Sequence, residues 1–175
     1  MTLRNSLPER IETERLVLRA PVETDLGDIV ALANNPEMVK TTATLPFPYA
    51  ESDGLTFLEQ VKTSPTMRAY AVAGADDRFI GCIMFKFDAG KKPEIGYWFG
   101  QPHWGFGYAS EAVAGLMQAA AKVDGFAVVD ARVLASNPAS VHVLEKFGFI
   151  VIERTLSVVE RHLGQPLLIL RWSAA

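Results

Sequence analysis

Two glycines separated by one residue, Gly105 and Gly107, lie in the segment EIGYWFGQPHWGFGYASEAV, which runs from Glu94 to Val113. An apolar run precedes them, and a pattern typical of an α-helix follows. Glycine lets the main chain approach a ligand without a Cβ atom in the way, and the N–H groups of a first helical turn attract anions. The segment therefore predicts a seat for phosphate over residues 105–110.

Three phosphate-binding designs compete for this turn. A nucleotide P-loop needs a Lys-Ser/Thr pair after the second glycine, and Tyr108-Ala109 excludes it. The dinucleotide fingerprint fits less well, because Ser110 replaces its third glycine and Asp130, the acidic residue that follows, lies inside a predicted strand. A seat made of main-chain N–H groups fits best. A purely structural turn stays open as the alternative.

A second segment, NPASVHVLEKFGF, places polar residues at the start of another predicted helix. Asn137 is followed by Ser140 at offset +3, by Lys146 at +9 and by Gly148-Phe149 at +11 and +12. Asparagine and serine can contact a ligand or cap a first helical turn. The two segments together, in this order, point to a known family.

The chain resembles the GCN5-related N-acetyltransferases (GNAT), and within them the branch of ribosomal-protein N-terminal alanine and serine acetyltransferases. The family's acetyl-CoA motif, Gln/Arg-x-x-Gly-x-Gly/Ala, matches Trp104 to Ala109, with tryptophan in place of the polar first residue. The branch's TERLVLR and EIGYW patterns are present as Thr13 to Arg19 and Glu94 to Trp98. The resemblance covers roughly residues 11–172.

The resemblance implies where acetyl-CoA binds. Strands at 94–100 and 127–135 would run parallel but splay apart, and the pantetheine arm would pair with main-chain groups near Trp98 and Phe99 in the gap. The diphosphate would lie on the amides from Gly105 to Ser110. The cofactor-binding residues implied are Trp98, Phe99, Trp104, Gly105, Phe106, Gly107, Tyr108, Ala109, Ser110, Asn137 and Ser140.

The implied reaction is a direct attack of an amine on the acetyl thioester. The amine must first lose a proton, and Glu94 is the candidate base, with an ordinary exposed strand-end carboxylate as the alternative. The main-chain N–H of Phe99 or its neighbour would stabilise the oxyanion. Many members carry a tyrosine acid seven residues after the asparagine, but this chain has Leu144 there. Ser140 is then the candidate acid, or else a residue that only caps its helix.

The elements that must position these residues follow from apolar periodicity and turn residues. They give the order β-α-α-β-β-β-α-β-α-β-β, which predicts a mixed α+β fold in one domain, with a mostly antiparallel sheet flanked by helices. Strand patterns cover 15–20, 68–73, 79–87, 94–100, 127–135 and the final segments VIERTLSVVER and QPLLILRWS; helix patterns open at Pro21 and cover about 52–62, 107–122 and 137–149.

Composition limits the partners. The chain has 175 residues and a net charge of −3, without the basic block that non-specific nucleic-acid binding needs. It has no apolar run near the roughly 18 residues of a membrane helix. The N-terminus lacks the apolar core of a signal peptide, so we expect a cytoplasmic protein. Cys82, the single cysteine, is expected to be a small core residue. The three histidines are too far apart for a zinc motif, so no metal is expected.

The acetyl acceptor is a primary amine whose identity the sequence leaves open. In this family the acceptor contacts come mostly from segments that correspond here to 34–63 and 161–166. A protein N-terminus is expected from the branch, and a small amine such as a polyamine is the alternative. A non-catalytic acetyl-CoA sensor and a nicotinamide-dinucleotide oxidoreductase also stay open. The branch further suggests a homodimer.

Overall fold

The computed structural model describes residues 2–175, which form a sheet of eight strands with helices on both faces. The strands are β1 Ile11–Glu12, β2 Val17–Arg19, β3 Met67–Ala73, β4 Phe79–Lys86, β5 Glu94–Phe99, β6 Val128–Leu134, β7 Ile150–Leu156 and β8 Pro166–Ser173. The helices are α1 Leu3–Ser6, α2 Leu26–Ala33, α3 Pro36–Val39, α4 Glu51–Thr63, α5 Tyr108–Ala120 and α6 Pro138–Phe147. Within this part of the chain, none of the helices is long and apolar enough to cross a membrane.

The strand order is β1-β2-β3-β4-β5-β6-β8-β7, and the neighbours are antiparallel except for the parallel pair β5–β6. The predicted mixed α+β fold is therefore confirmed. The parallel pair is produced by the strand–helix–strand crossover through α5, since parallel neighbours need a long connection.

Each face of the sheet has its own apolar core. Helices α5 and α6 cover one face, where Leu116, Phe85 and Leu170 are fully buried. Helices α2 and α4 cover the other, where Ile29 and Cys82 are fully buried. Complete burial of one such aliphatic side chain stabilises the fold by about 1.5–3 kcal/mol. The prediction that Cys82 is a core residue is confirmed.

The N-terminal third differs in detail from the predicted elements. The predicted strand at 15–20 is reduced to Val17–Arg19, which pairs with the two-residue strand β1. The segment after Pro21 begins as a 3₁₀ turn over Glu23–Asp25 before α2 starts. The short helix α3 was not predicted. It forms because the Asn35 side chain accepts a hydrogen bond from the Glu37 N–H, and a proline occupies the first helical position.

Strands β5 and β6 separate soon after they meet. Their pairing covers only Glu94 with Asp130 and Ile95 with Ala131. Strand β5 meanwhile stays paired with β4 as far as Phe99. A gap therefore opens between β5 and β6 toward the end of β5 that leads into the glycine turn, as predicted.

Candidate active site

The glycine turn has a backbone that only glycine adopts readily. The φ angles are +82° at Gly105 and +79° at Gly107, in the left-handed region. A Cβ atom at Gly105 would have no neighbour within 4 Å, so the backbone conformation and not packing requires the glycine. Gly107 is the N-cap of α5, and no side chain caps this helix. The first-turn N–H groups are therefore left available to an anion.

Arg15 and Glu111 brace this turn from the side of the N-terminal strands. The Arg15 guanidinium donates through Nη1 to the Phe106 carbonyl at 2.8 Å and through Nε to Glu111 Oε2 at 2.7 Å. Glu111 Oε1 accepts from the Arg15 main-chain N–H at 2.7 Å and from the Thr13 hydroxyl at 2.6 Å. Burial alone would raise the pKa of the Glu111 carboxyl, but these hydrogen bonds outweigh it and hold that pKa below its usual value. Neither Arg15 nor Glu111 was among the predicted site residues.

Along β5, the main-chain N–H and C=O groups point alternately toward β4 and toward the gap. The Gly100 N–H donates to the Ile80 carbonyl at 3.0 Å, which makes this a hydrogen-bonded pair of the β4–β5 ladder. Because such pairs alternate along antiparallel strands, the main-chain groups of Tyr97 and Phe99 point away from β4. They face the side on which β6 has diverged. Tyr97 and Phe99 are thus the residues whose amides and carbonyls face the gap.

Trp98 does not line the gap, which corrects one predicted contact. Its main chain is paired with Cys82 of β4, and its indole is buried on the opposite face of the sheet, with its ring centroid 5.6 Å from that of Phe79. The apolar pattern predicts this strand but not which of its main-chain groups pair with β4. The residues that face the gap are therefore Tyr97 and Phe99, one position to either side of Trp98. Trp104 returns to the same strand, where its indole N–H donates to the Phe99 carbonyl at 2.7 Å.

Three polar side chains meet where α6 begins. The Asn137 Oδ1 accepts from the Ser140 N–H at 3.2 Å and so caps the helix. The Ser140 hydroxyl lies 2.8 Å from the Tyr97 hydroxyl, which links α6 to β5. Burial raises the pKa of Tyr97 to about 12 although the bond to Ser140 lowers it. Leu144, one turn later, is buried in the core and has no group that could replace the tyrosine expected there.

Glu94 lies at the closed end of the gap, where β5 and β6 are still paired. Its Oε2 is 3.0 Å from Nε of Arg132 on β6. The neighbouring Asp130 is bonded twice by Arg171, at 2.7 and 2.9 Å. Asp130 is therefore engaged within the sheet, where a dinucleotide-binding acid would have to be free. Within residues 2–175, no group of three or more His, Cys, Asp or Glu side chains is arranged to hold a metal ion.

A model of the acetyltransferase (GNAT) domain family matches residues 15–150. This span includes the glycine turn, the gap and the start of α6. The chain belongs to the GNAT acetyltransferase family. It is accordingly an acetyl-transferring enzyme, and the oxidoreductase alternative is wrong. An uncharacterized N-acetyltransferase, p20 of Bacillus licheniformis, is 27% identical over 146 residues, which cover 81% of this chain and 82% of that protein.

Solved GNAT structures share the fold. RimL, a ribosomal L7/L12 alpha-N-protein acetyltransferase in complex with coenzyme A, superposes with a TM-score of 0.82 at 16% identity and covers 94% of this chain and 98% of its own. Spermidine N-acetyltransferase from Vibrio cholerae, in complex with CoA and spermine, gives a TM-score of 0.78 at 19% identity and covers 92% and 96%. At these identities the likeness establishes the fold.

In this GNAT acetyltransferase the two segments predicted to contact the acceptor touch each other. Nη1 of Arg161 and Nε2 of His162, in the connection between β7 and β8, lie 3.1 and 3.0 Å from the Thr42 carbonyl. Thr42 follows α3, so this contact joins the segment after α3 to the connection between β7 and β8. His162 is buried by it, and Phe47, a few residues after Thr42, keeps 44% of its surface exposed.

Proposed function

We propose that this enzyme transfers the acetyl group of acetyl-CoA directly to a primary amine, and that the amine is a protein N-terminus. The observation that supports it is the turn at Gly105 and Gly107. Two left-handed glycines precede a helix without a side-chain cap, and they stand at the open end of a gap between parallel strands. A diphosphate held by main-chain N–H groups needs such a turn, and a pantetheine arm needs the gap.

The residues present suit coenzyme A along its length. The amides from Gly105 to Ser110 would hold the diphosphate, with Phe106 at the exposed tip of the turn and Tyr108 and Ala109 in the first helical turn. The main-chain groups of Tyr97 would pair with the pantetheine amides. The Phe99 carbonyl, which already accepts from the Trp104 indole, has a second lone pair for one of them. Asn137 already uses its Oδ1 as a helix cap, which leaves its Nδ2 as a donor.

The reaction requires a base for the ammonium proton, a hydrogen-bond donor for the oxyanion and an acid for the leaving thiolate. The attacking amine forms a C–N bond while the C–S bond of the thioester breaks. Glu94 would take the ammonium proton, directly or through water, and the Phe99 N–H would stabilise the developing oxyanion. Ser140 would donate its hydroxyl proton to the leaving thiolate, since Leu144 cannot, and would regain a proton from the second one that the nitrogen loses as the amide forms.

The likeness to RimL supports a protein N-terminus as the acceptor. One observation favours a small amine instead. The bonds from Arg161 and His162 to Thr42 join the two segments that would border the acceptor cleft, and a cleft bridged in this way suits a small molecule better than a peptide. The likeness to spermidine N-acetyltransferase is compatible with that alternative.

Two measurements test the proposal. Acetyl-CoA should raise the melting temperature of the protein, since it binds the folded state, and NAD should not. CoA release should then be measured with short peptides carrying free α-amino groups, with the same peptides N-terminally blocked, and with polyamines. Stabilisation by acetyl-CoA without CoA release from any amine would favour a non-catalytic acetyl-CoA sensor. No stabilisation by acetyl-CoA would contradict the proposal.

A further inference from the structure

A carboxylate, that of Glu111, lies beside the proposed diphosphate seat. Glu111 is in the first turn of α5, the same turn whose N–H groups would hold the diphosphate. A carboxylate suits the positive end of a helix dipole, but it repels a bound diphosphate at short range. Its side chain is mostly buried, with 16% exposed, so water screens this repulsion only in part.

Arg15 is placed to cancel that charge. It bonds Glu111 through both its main-chain N–H and its Nε, and its guanidinium carbon lies 4.8 Å from the centre of the Tyr108 ring, on the first residue of α5. Its Nη2 is close to the turn itself, 3.4 Å from the position that a Cβ of Gly107 would take. The cation therefore lies between the carboxylate and the turn.

Arg15 also fixes the orientation of one peptide unit of the turn. Its Nη1 holds the Phe106 carbonyl at 2.8 Å. In a trans peptide the C=O and the following N–H point in opposite directions. Holding the Phe106 carbonyl toward Arg15 therefore directs the Gly107 N–H away from Arg15, into the exposed side of the turn where an anion can reach it.

We infer that Arg15 is a positioning residue of the acyl-CoA site, which sets the affinity for acetyl-CoA by neutralising Glu111 and holding the Phe106 carbonyl. The connection between β1 and β2, where Arg15 lies, then contributes to the acetyl-CoA site although it is remote from the glycine turn in sequence. This inference rests on the proposed function. Because Arg15 would not contact the reacting atoms in this role, removing its guanidinium should raise KM for acetyl-CoA and leave kcat at saturation unchanged.

The test is a charge-compensation cycle at these two residues. Arg15→Gln leaves Glu111 uncompensated beside the diphosphate and should raise KM for acetyl-CoA about tenfold, with kcat within about twofold of wild type. Glu111→Gln removes the repelling charge and should lower that KM. The double variant should recover most of the loss, because the repelling charge is gone. Raising the ionic strength to about 0.5 M should narrow the difference between Arg15→Gln and wild type.

Two controls separate this role from general damage. Arg154→Gln removes one exposed cation from the edge strand β7 at the other side of the sheet and should not change KM. Thr13→Val removes the hydrogen bond to Glu111 and the one that the Thr13 hydroxyl accepts from the Leu16 N–H, without changing charge, and should have only a small effect on KM. Melting temperatures identify variants that fail to fold. If Arg15→Gln is unstable, the double variant can still be compared with wild type, because Glu111→Gln removes the unpaired buried charge.

The outcomes are distinct. A wild-type enzyme that acetyl-CoA does not stabilise would overturn the proposed function. A wild-type enzyme that binds acetyl-CoA, with an Arg15→Gln variant of unchanged KM or a double variant no better than Arg15→Gln, would overturn this inference alone.

Discussion

The hydroxyl of Tyr97 lies 2.8 Å from the hydroxyl of Ser140 and 3.2 Å from the Ser140 carbonyl oxygen. Tyr97 has a single proton for these two acceptors. When it donates to the Ser140 hydroxyl, the serine proton is free to face the thiolate. When it donates to the carbonyl, the serine proton is directed back to the tyrosine. In the proposed reaction, the position of this phenolic proton would determine whether Ser140 can act as the acid.

Tyr97→Phe is therefore expected to impair catalysis. Phenylalanine keeps the ring and removes the hydroxyl that holds Ser140, a bond worth about 1 kcal/mol. We expect kcat to fall by about fivefold to tenfold with KM for acetyl-CoA unchanged. Ser140→Ala should lower kcat at least as much, and the double variant should be no worse than Ser140→Ala. Steady-state CoA release measures all three.

Tyr70→Phe is the matched control for that experiment. Tyr70 is also a buried phenol on the sheet, and its hydroxyl donates to the Pro8 carbonyl at 2.6 Å, outside the proposed site. Its loss should lower the melting temperature without changing kcat. Equal kcat values for Tyr97→Phe and wild type would remove Tyr97 from the reaction and leave it a packing residue.

How much of this site the sequence could predict depends on whether local pattern or long-range contact positions each residue. The glycine turn, the N-terminus of α6 and the order of the elements along the chain follow from local pattern. The bond between Tyr97 and Ser140 joins residues 43 positions apart, and the bonds from Arg15 to Glu111 join residues 96 apart. No local periodicity indicates such pairs.

Strand alternation explains the one corrected contact. A single-residue shift in pairing register exchanges the two faces of a strand, and likewise the two edges toward which its main-chain groups point. The apolar run at 94–99 does not show this register, so Trp98 was expected at the gap where Tyr97 and Phe99 lie. Leu144 shows that the usual tyrosine hydroxyl is missing from this position of α6. In the structure, the Tyr97 hydroxyl lies beside Ser140 instead.

Gly105→Ala should weaken acetyl-CoA binding more than it weakens the fold. Gly105 and Gly90 have similar φ angles, +82° and +74°, and neither would crowd a Cβ atom. Alanine in this left-handed conformation costs roughly 1–2 kcal/mol at either position. The two variants should therefore have similar melting temperatures. Only Gly105→Ala should lose stabilisation by acetyl-CoA, measured by thermal shift, and equal ligand shifts would argue against the diphosphate seat.

Cys82 should be inert in the native protein and should make stability depend on alkaline pH. Burial raises the pKa of its thiol to about 12, while the unfolded thiol ionises near 8.5. Because the folded pKa is the higher one, this contribution is fully present below pH about 8.5 and is lost as pH rises toward about 12. A thiol reagent should label Cys82 only after unfolding. Cys82→Ala should show a smaller loss of unfolding free energy between pH about 8.5 and 10; the same loss would contradict the prediction.

Glu94 can act as the base only if it can accept a proton while it is paired with Arg132. Two variants separate this role from a structural one, in which the ion pair only holds β5 to β6. Glu94→Gln removes the proton acceptor and the ion pair together, whereas Arg132→Gln removes the ion pair and leaves the carboxylate.

If Glu94 is the base, Glu94→Gln should lower kcat at least tenfold, most strongly below neutral pH, where more of the amine carries its proton. Arg132→Gln should keep most of kcat. If the pair only fastens β5 to β6, the two variants should lose similar stability and keep similar kcat at every pH. The pH–rate profiles of both, with the acceptor identified in the CoA-release screen, decide between these outcomes.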